Sequence, residues 1–89
     1  MKARTKKKTI KVTQKEINNG LCNSNTGCPI ALAFRASGIE AVIYYNGFVY
    51  INKKGRLSSI KRLPKEAQEF IYNFDQKRSV KPFKFRVTL

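Results

Sequence analysis

Hydrophobic and polar positions alternate twice along this chain, once near each end, and between them the pattern changes period. Over Thr9–Thr13, Ile10 and Val12 fall on one side and Thr9, Lys11 and Thr13 on the other, the two-residue period of a half-buried strand. Phe83, Phe85, Val87 and Leu89 alternate in the same way with Lys84, Arg86 and Thr88, predicting a last strand with an apolar inner side and a basic outer side. In the segment after Pro64, Ala67, Phe70, Ile71 and Phe74 recur at i, i+3, i+4 and i+7, the stripe of an amphipathic helix. Lys65, Glu66, Gln68, Glu69 and Asn73 take its exposed side. The two glutamates suit the positive end of the helix dipole.

Local punctuation supplies the remaining elements. Thr13 stands three residues before Glu16, the spacing of a capping box, so a short helix starts there and stops at Asn18-Asn19-Gly20. Leu21–Gly27 is a loop by composition. Cys28 to Gly38 predicts a second helix: Pro29 fits its first position, Gly38 its left-handed stop, and only Arg35 among its side chains is charged. A helix apolar almost all round is buried, or covered on one side by a partner. Asn46-Gly47, flanked by Glu40–Tyr45 and Phe48–Asn52, predicts a hairpin with a two-residue turn. That register sets Tyr45 opposite Phe48 and Ile43 opposite Tyr50 on one face, with Tyr44, Val49, Val42 and Ile51 on the other. Arg56–Ile60 is a candidate further strand. The order β-α-α-β-β-(β)-α-β predicts an α+β fold: one small domain over residues 9–89, an antiparallel sheet of four or five strands with helices on one face, preceded by a basic arm at 1–8.

Length agrees with this. A domain of 89 residues buries somewhat over 60% of its unfolded surface, and 42% hydrophobic residues suffice for one core. No apolar run approaches the roughly 20 residues of a membrane span, and none follows the basic start as a secretory signal requires. A cytoplasmic protein without membrane association is the expectation.

Charge changes the picture most. Nineteen Lys and Arg stand against five Asp and Glu, a net charge of +14. Fifteen of the cations fall in three stretches: Lys2, Arg4, Lys6, Lys7 and Lys8; Lys53, Lys54, Arg56, Lys61 and Arg62; Lys77, Arg78, Lys81, Lys84 and Arg86. Such a chain repels itself unless a polyanion neutralises it, and nucleic acid is the commonest partner of that kind. The candidate phosphate contacts are Lys53, Lys54, Arg56, Lys61, Arg62, Lys77, Arg78, Lys81, Lys84, Arg86 and Lys11. If the hairpin face carrying Tyr45, Phe48 and Tyr50 points outward, those aromatics offer stacking to single-stranded bases. The other possibility is that they are ordinary core, or that one hairpin face is covered by a second copy in a homodimer. A recognition helix in a DNA groove is disfavoured, because the third helix exposes glutamates.

Catalysis has little to work with. Histidine is absent, the five acids show no paired spacing, and neither a phosphate-binding loop nor a dinucleotide glycine fingerprint occurs. Cys22 and Cys28 alone cannot complete a zinc site, although four thiolates shared across a dimer would. Cys28 fits best as a packing residue at the second helix start. No cofactor, metal or catalytic residue is expected.

Thr13-Gln14 with Ile17 and Gly20, the helix Cys28-Pro29-Ile30-Ala31-Leu32-Ala33, Leu63-Pro64 before the late helix and the closing Pro82-Phe83-Lys84-Phe85 together resemble a group of small, mostly uncharacterised proteins of tailed bacteriophages and related mobile elements. The resemblance covers nearly the whole chain and implies a phage or prophage origin; it supplies no activity and no functional residues. The sequence therefore points to a non-enzymatic nucleic-acid-binding protein. The alternative is an interaction protein that docks on an acidic host or defence protein, and a third option is an RNA-assembly protein of the ribosomal kind.

Overall fold

The computed structural model describes residues 7–44, 46–52 and 54–89. It is a small α+β domain with five strands and three helices among the described residues. In chain order these are β1 (Lys7–Val12), α1 (Gln14–Asn19), α2 (Pro29–Ala36), β2 (Ala41–Ile43), β3 (Gly47–Tyr50), β4 (Lys61–Arg62), α3 (Lys65–Asp75) and β5 (Phe83–Thr88). All pairing is antiparallel, and the first and last strands meet as β1–β5.

The strands are divided between two sheets rather than joined in one: a two-stranded ribbon β1–β5 and a three-stranded sheet β2–β3–β4. What separates them is α2. Its Phe34 is fully buried, with its ring centroid 4.9 Å from Phe48 on β3 and 6.1 Å from Phe85 on β5. The all-round apolar character of α2 is thus absorbed by the protein's own core, with Ile30, Ala31 and Ala33 also buried. Only Arg35 and Ala36 on this helix are exposed, with Leu32 partly so. α3 closes the core from the ribbon side, where the Phe70 ring lies 4.9 Å from that of Phe83, tilted by 31°.

Several local signals act as the sequence suggests. The N–H and hydroxyl of Thr13 both donate to the Glu16 carboxylate at the start of α1. Cys28 caps α2, its buried Sγ accepting from the Ala31 N–H at 3.4 Å. Gly38, with φ +86°, follows the end of α2. Along β5, Phe85 and Val87 are buried while Lys84, Arg86 and Thr88 are exposed.

Three expectations are corrected. Lys7 and Lys8 belong to β1, paired with Thr88 and Val87, and not to an arm; residues 1–6 lie outside the described residues. The hairpin register is displaced by two: Ile43 faces Phe48 and Ala41 faces Tyr50, with Tyr44 N–H donating to Gly47 O at 2.7 Å. Gly47 is therefore a strand residue and not part of the turn. A Cβ there would lie 2.6 Å from the carbonyl oxygen of Lys61, so the glycine is required by the close approach of β4. Finally, Arg56–Ile60 is not a continuous strand. Leu57 bridges to Ile51, and regular pairing resumes only at Lys61–Arg62. Four steps from Gly47 to Ile51 match five from Arg62 to Leu57, so one extra residue is accommodated as a bulge.

Candidate nucleic-acid interface

The β1–β5 register decides which cations meet. Lys11 lies directly opposite Lys84, Thr9 opposite Arg86 and Lys7 opposite Thr88, all exposed. Ile10, Val12, Phe85 and Val87 fill the inner face, so alternation forces these polar residues outward. The outer face of the ribbon is therefore a basic surface carrying Lys7, Lys11, Lys84 and Arg86.

Arg86 continues this surface into a cleft of about 730 Å³ lined by Lys61, Arg62, Leu63, Pro64, Lys65, Gln68, Arg86 and Thr88. Four cations and no carboxylate line it. Fully buried Leu63 anchors the segment, its N–H donating to Asn46 O at 3.1 Å, so the flanking Arg62 and Lys65 are fixed at the rim. Pro64 provides the N-cap of α3 but no side-chain cap, and the amides of the first turn add their partial positive charge. Toward the ribbon a smaller hollow of about 410 Å³ is lined by Thr9, Glu66, Lys84, Phe85 and Arg86. Among the described residues Glu66 lines this hollow, and Glu69 borders the cleft on its other side, beside Lys65 and Gln68.

Of the residues expected as phosphate contacts, Lys11, Lys61, Arg62, Lys84 and Arg86 come together here. The others do not. Lys54 and Arg56 sit in a tight turn, their N–H groups donating to Asn52 Oδ1 at 2.9 and 3.1 Å. This turn follows the end of β3 remote from the cleft, about five strand residues or 17 Å away. Lys77, Arg78 and Lys81 follow the C-terminal end of α3, whose 11 residues span about 16 Å. Arg78 is held locally, its guanidinium 5.6 Å from the Tyr72 ring centre and donating to Asn73 Oδ1 at 3.5 Å. Lys53 and Tyr45 lie outside the described residues.

The expected stacking platform is corrected. Ile43, Phe48 and Tyr50 do share a face, but it is the inner one: Phe48 is fully buried against Phe34, and Tyr50 is half-buried beside Phe48. A side chain enclosed by its own core presents no ring to a base. Lys65, in contrast, joins the basic surface without having been singled out as a phosphate contact, and Lys7, expected in the arm, joins it from β1. Lys65 could have been found from Pro64, which starts α3 and so holds Lys65 next to the Lys61-Arg62 pair.

Other chemistry is sparse. Burial pushes the Cys28 thiol above its ordinary range, and Cys22 donates through Sγ to Phe74 O at 3.4 Å. Both cysteines are free. No group of three or more His, Cys, Asp or Glu side chains suited to a metal occurs among the described residues, and no helix there is long and apolar enough to cross a membrane. Comparison with protein-family models, with curated proteins and with solved structures finds no match.

Proposed function

We propose that this protein is a non-enzymatic nucleic-acid-binding module that grips phosphates with the outer face of the β1–β5 ribbon and the adjoining cleft. The observation that carries the reading is the meeting of Lys11, Lys84, Arg86, Lys61, Arg62 and Lys65 on one continuous surface, where these six cations outnumber the acids at its edge, Glu66 and Glu69. Cations presented this way release condensed counterions when they displace them from phosphates. The contacts go to the backbone and not to base edges, so sequence preference is weak. The setting that fits is the cytoplasm of a bacterium carrying a phage or mobile element.

About six neutralised phosphates give a log–log salt slope near −5 on duplex DNA and about −4 on a single strand. Fluorescence anisotropy with labelled single- and double-stranded DNA and RNA, from 50 to 300 mM salt, measures that slope. Replacing Lys61, Arg62 and Arg86 together by glutamate is expected to abolish binding. The same change at Lys77, Arg78 and Lys81 alters net charge equally but leaves most of the affinity. Equal losses in the two triple variants, or an affinity indifferent to salt, would overturn the reading.

A further inference from the structure

The opposite side of the molecule carries a surface of different chemistry. The inner faces of both sheets meet Phe34, so their outer faces turn away from each other. On the three-stranded sheet that outer face is apolar. Val42 and Val49 are paired at its centre, Tyr44 and Ile51 flank them, and Leu57 bridges to Ile51. Ile60 completes the row: its side chain lies 3.3 Å from where a Gly47 Cβ would stand. Tyr44 is 44%, Ile51 47%, Leu57 66% and Ile60 75% exposed. These are four of the six large hydrophobic side chains exposed among the described residues; the other two, Leu21 and Tyr72, stand apart from it. A contiguous apolar patch rimmed by charge marks an interaction surface.

We infer that this face docks a protein partner whose contact surface is an apolar ridge flanked by carboxylates. Two features of the face select that partner. Its exposed side chains are chiefly aliphatic, and Ile51, Leu57 and Ile60 give a nucleobase no ring to stack on. Its rim is mostly basic: Arg62 shares the face with Gly47, the Lys54–Arg56 turn bounds the far end, and the one acid beside Ile51, Glu40, is already paired with Arg35 at 3.5 Å. From Ala41 to Lys65 the sequence holds six Lys and Arg and no Asp or Glu. A second copy brought face to face would oppose like charges around the seam, whereas an acidic partner pairs with them. The bulge at 58–60 serves this display. Ser58 satisfies Tyr50 twice, its Oγ accepting from the Tyr50 N–H at 3.0 Å and its N–H donating to Tyr50 O at 2.7 Å. The strand thereby absorbs its extra residue while both Leu57 and Ile60 stand outward. This surface meets the basic cleft at Arg62, which borders both, but its apolar side chains are not part of the cleft and the inference does not rest on the nucleic-acid reading.

The test uses the full chain, labelled with ¹⁵N, and a synthetic amphipathic helical peptide with a leucine stripe flanked by glutamates. Amide shifts are expected to map to Val42, Tyr44, Val49, Ile51, Leu57 and Ile60. The same peptide with glutamine in place of each glutamate is expected to bind at least fivefold more weakly. The variant Leu57→Ser with Ile60→Ser is expected to lose at least tenfold in affinity. Both positions are exposed, and the variant's own spectrum reports whether it remains folded. Shifts confined to the β1–β5 ribbon and cleft would overturn the proposal, since they would reveal only charge attraction. So would absence of peptide binding, a dimer in sedimentation that the double variant dissolves, or an oligonucleotide shifting the same apolar residues.

Discussion

Lys11 stands directly across the β1–β5 ladder from Lys84, two ammonium groups paired where a sheet ordinarily places opposite charges or apolar partners. Directly opposed like charges destabilise a strand pair, and converting one to an opposite charge changes stability by roughly 0.2–1 kcal/mol. Lys84→Glu should therefore raise stability at 10 mM salt by about 0.5 kcal/mol, or a few degrees in Tm, with the gain fading at 1 M salt. The same change should weaken nucleic-acid binding. Thermal melts at the two salt concentrations check the first outcome and anisotropy the second; a less stable variant at low salt would contradict it.

Gly47→Ala tests the reason for the displaced hairpin register. A methyl group 2.6 Å from Lys61 O forces β3 and β4 apart. The expected loss is about 1–3 kcal/mol, against a small entropic gain from replacing glycine. Urea titration reads the difference. A stabilised variant would mean that β4 does not press on β3 there.

Lys77→Gly should separate fold from function at a position the charge pattern nominated. Lys77 has φ +60°, a left-handed conformation that costs a residue with a Cβ roughly 1–2 kcal/mol. Part of that is recovered by glycine, so the variant should melt higher. Lying at the far end of α3 from the cleft, the substitution should change nucleic-acid affinity by less than twofold. A large drop in affinity would place the interface at that end instead.

At the start of α1 the Thr13 hydroxyl, as the largest influence, holds the Glu16 carboxyl below its usual range, joined by the Thr13 N–H. A depressed carboxyl contributes stability that is present above its unfolded pKa and is lost as pH falls through the lower, folded value. Acid unfolding below the ordinary glutamate range should accordingly lose one component in Glu16→Gln. Glutamine still accepts the capping bonds but does not titrate. Thr13→Ala, measured at pH 7 by chemical denaturation, should cost about 1 kcal/mol.

Thiol labelling should be two-phase. Cys28 is buried and its thiol is held protonated, so an aromatic disulfide reagent near pH 8 should label half-buried Cys22 first and Cys28 only on unfolding. Simultaneous labelling would indicate that the start of α2 opens readily.

The elements most legible in the sequence are those whose signals are local. The stripe Ala67, Phe70, Ile71 and Phe74, the Thr13–Glu16 cap and the alternation through Phe83–Leu89 need only near neighbours to form, and each is present where periodicity places it. The hairpin turn was less legible because Asn46-Gly47 carries two meanings. Its preference for the turn competes with the need for a residue lacking a Cβ under Lys61 O, and the long-range contact prevails. Parity correctly grouped Ile43, Phe48 and Tyr50 on one face, but with apolar residues on both faces only Phe34 determines which points inward. For the basic surface, Lys11, Lys84 and Arg86 follow from alternation, whereas Lys65 is masked by neighbouring Glu66 and Glu69, which make α3 read as acidic.

Among the described residues the ribbon and the three-stranded sheet share no backbone hydrogen bond; the aromatic ring of Phe34 touches both. Cooperative unfolding in this molecule is consequently transmitted through side-chain packing at one helix and not along a continuous ladder. Each outer surface can then be rewritten by mutation without disturbing the register of the other.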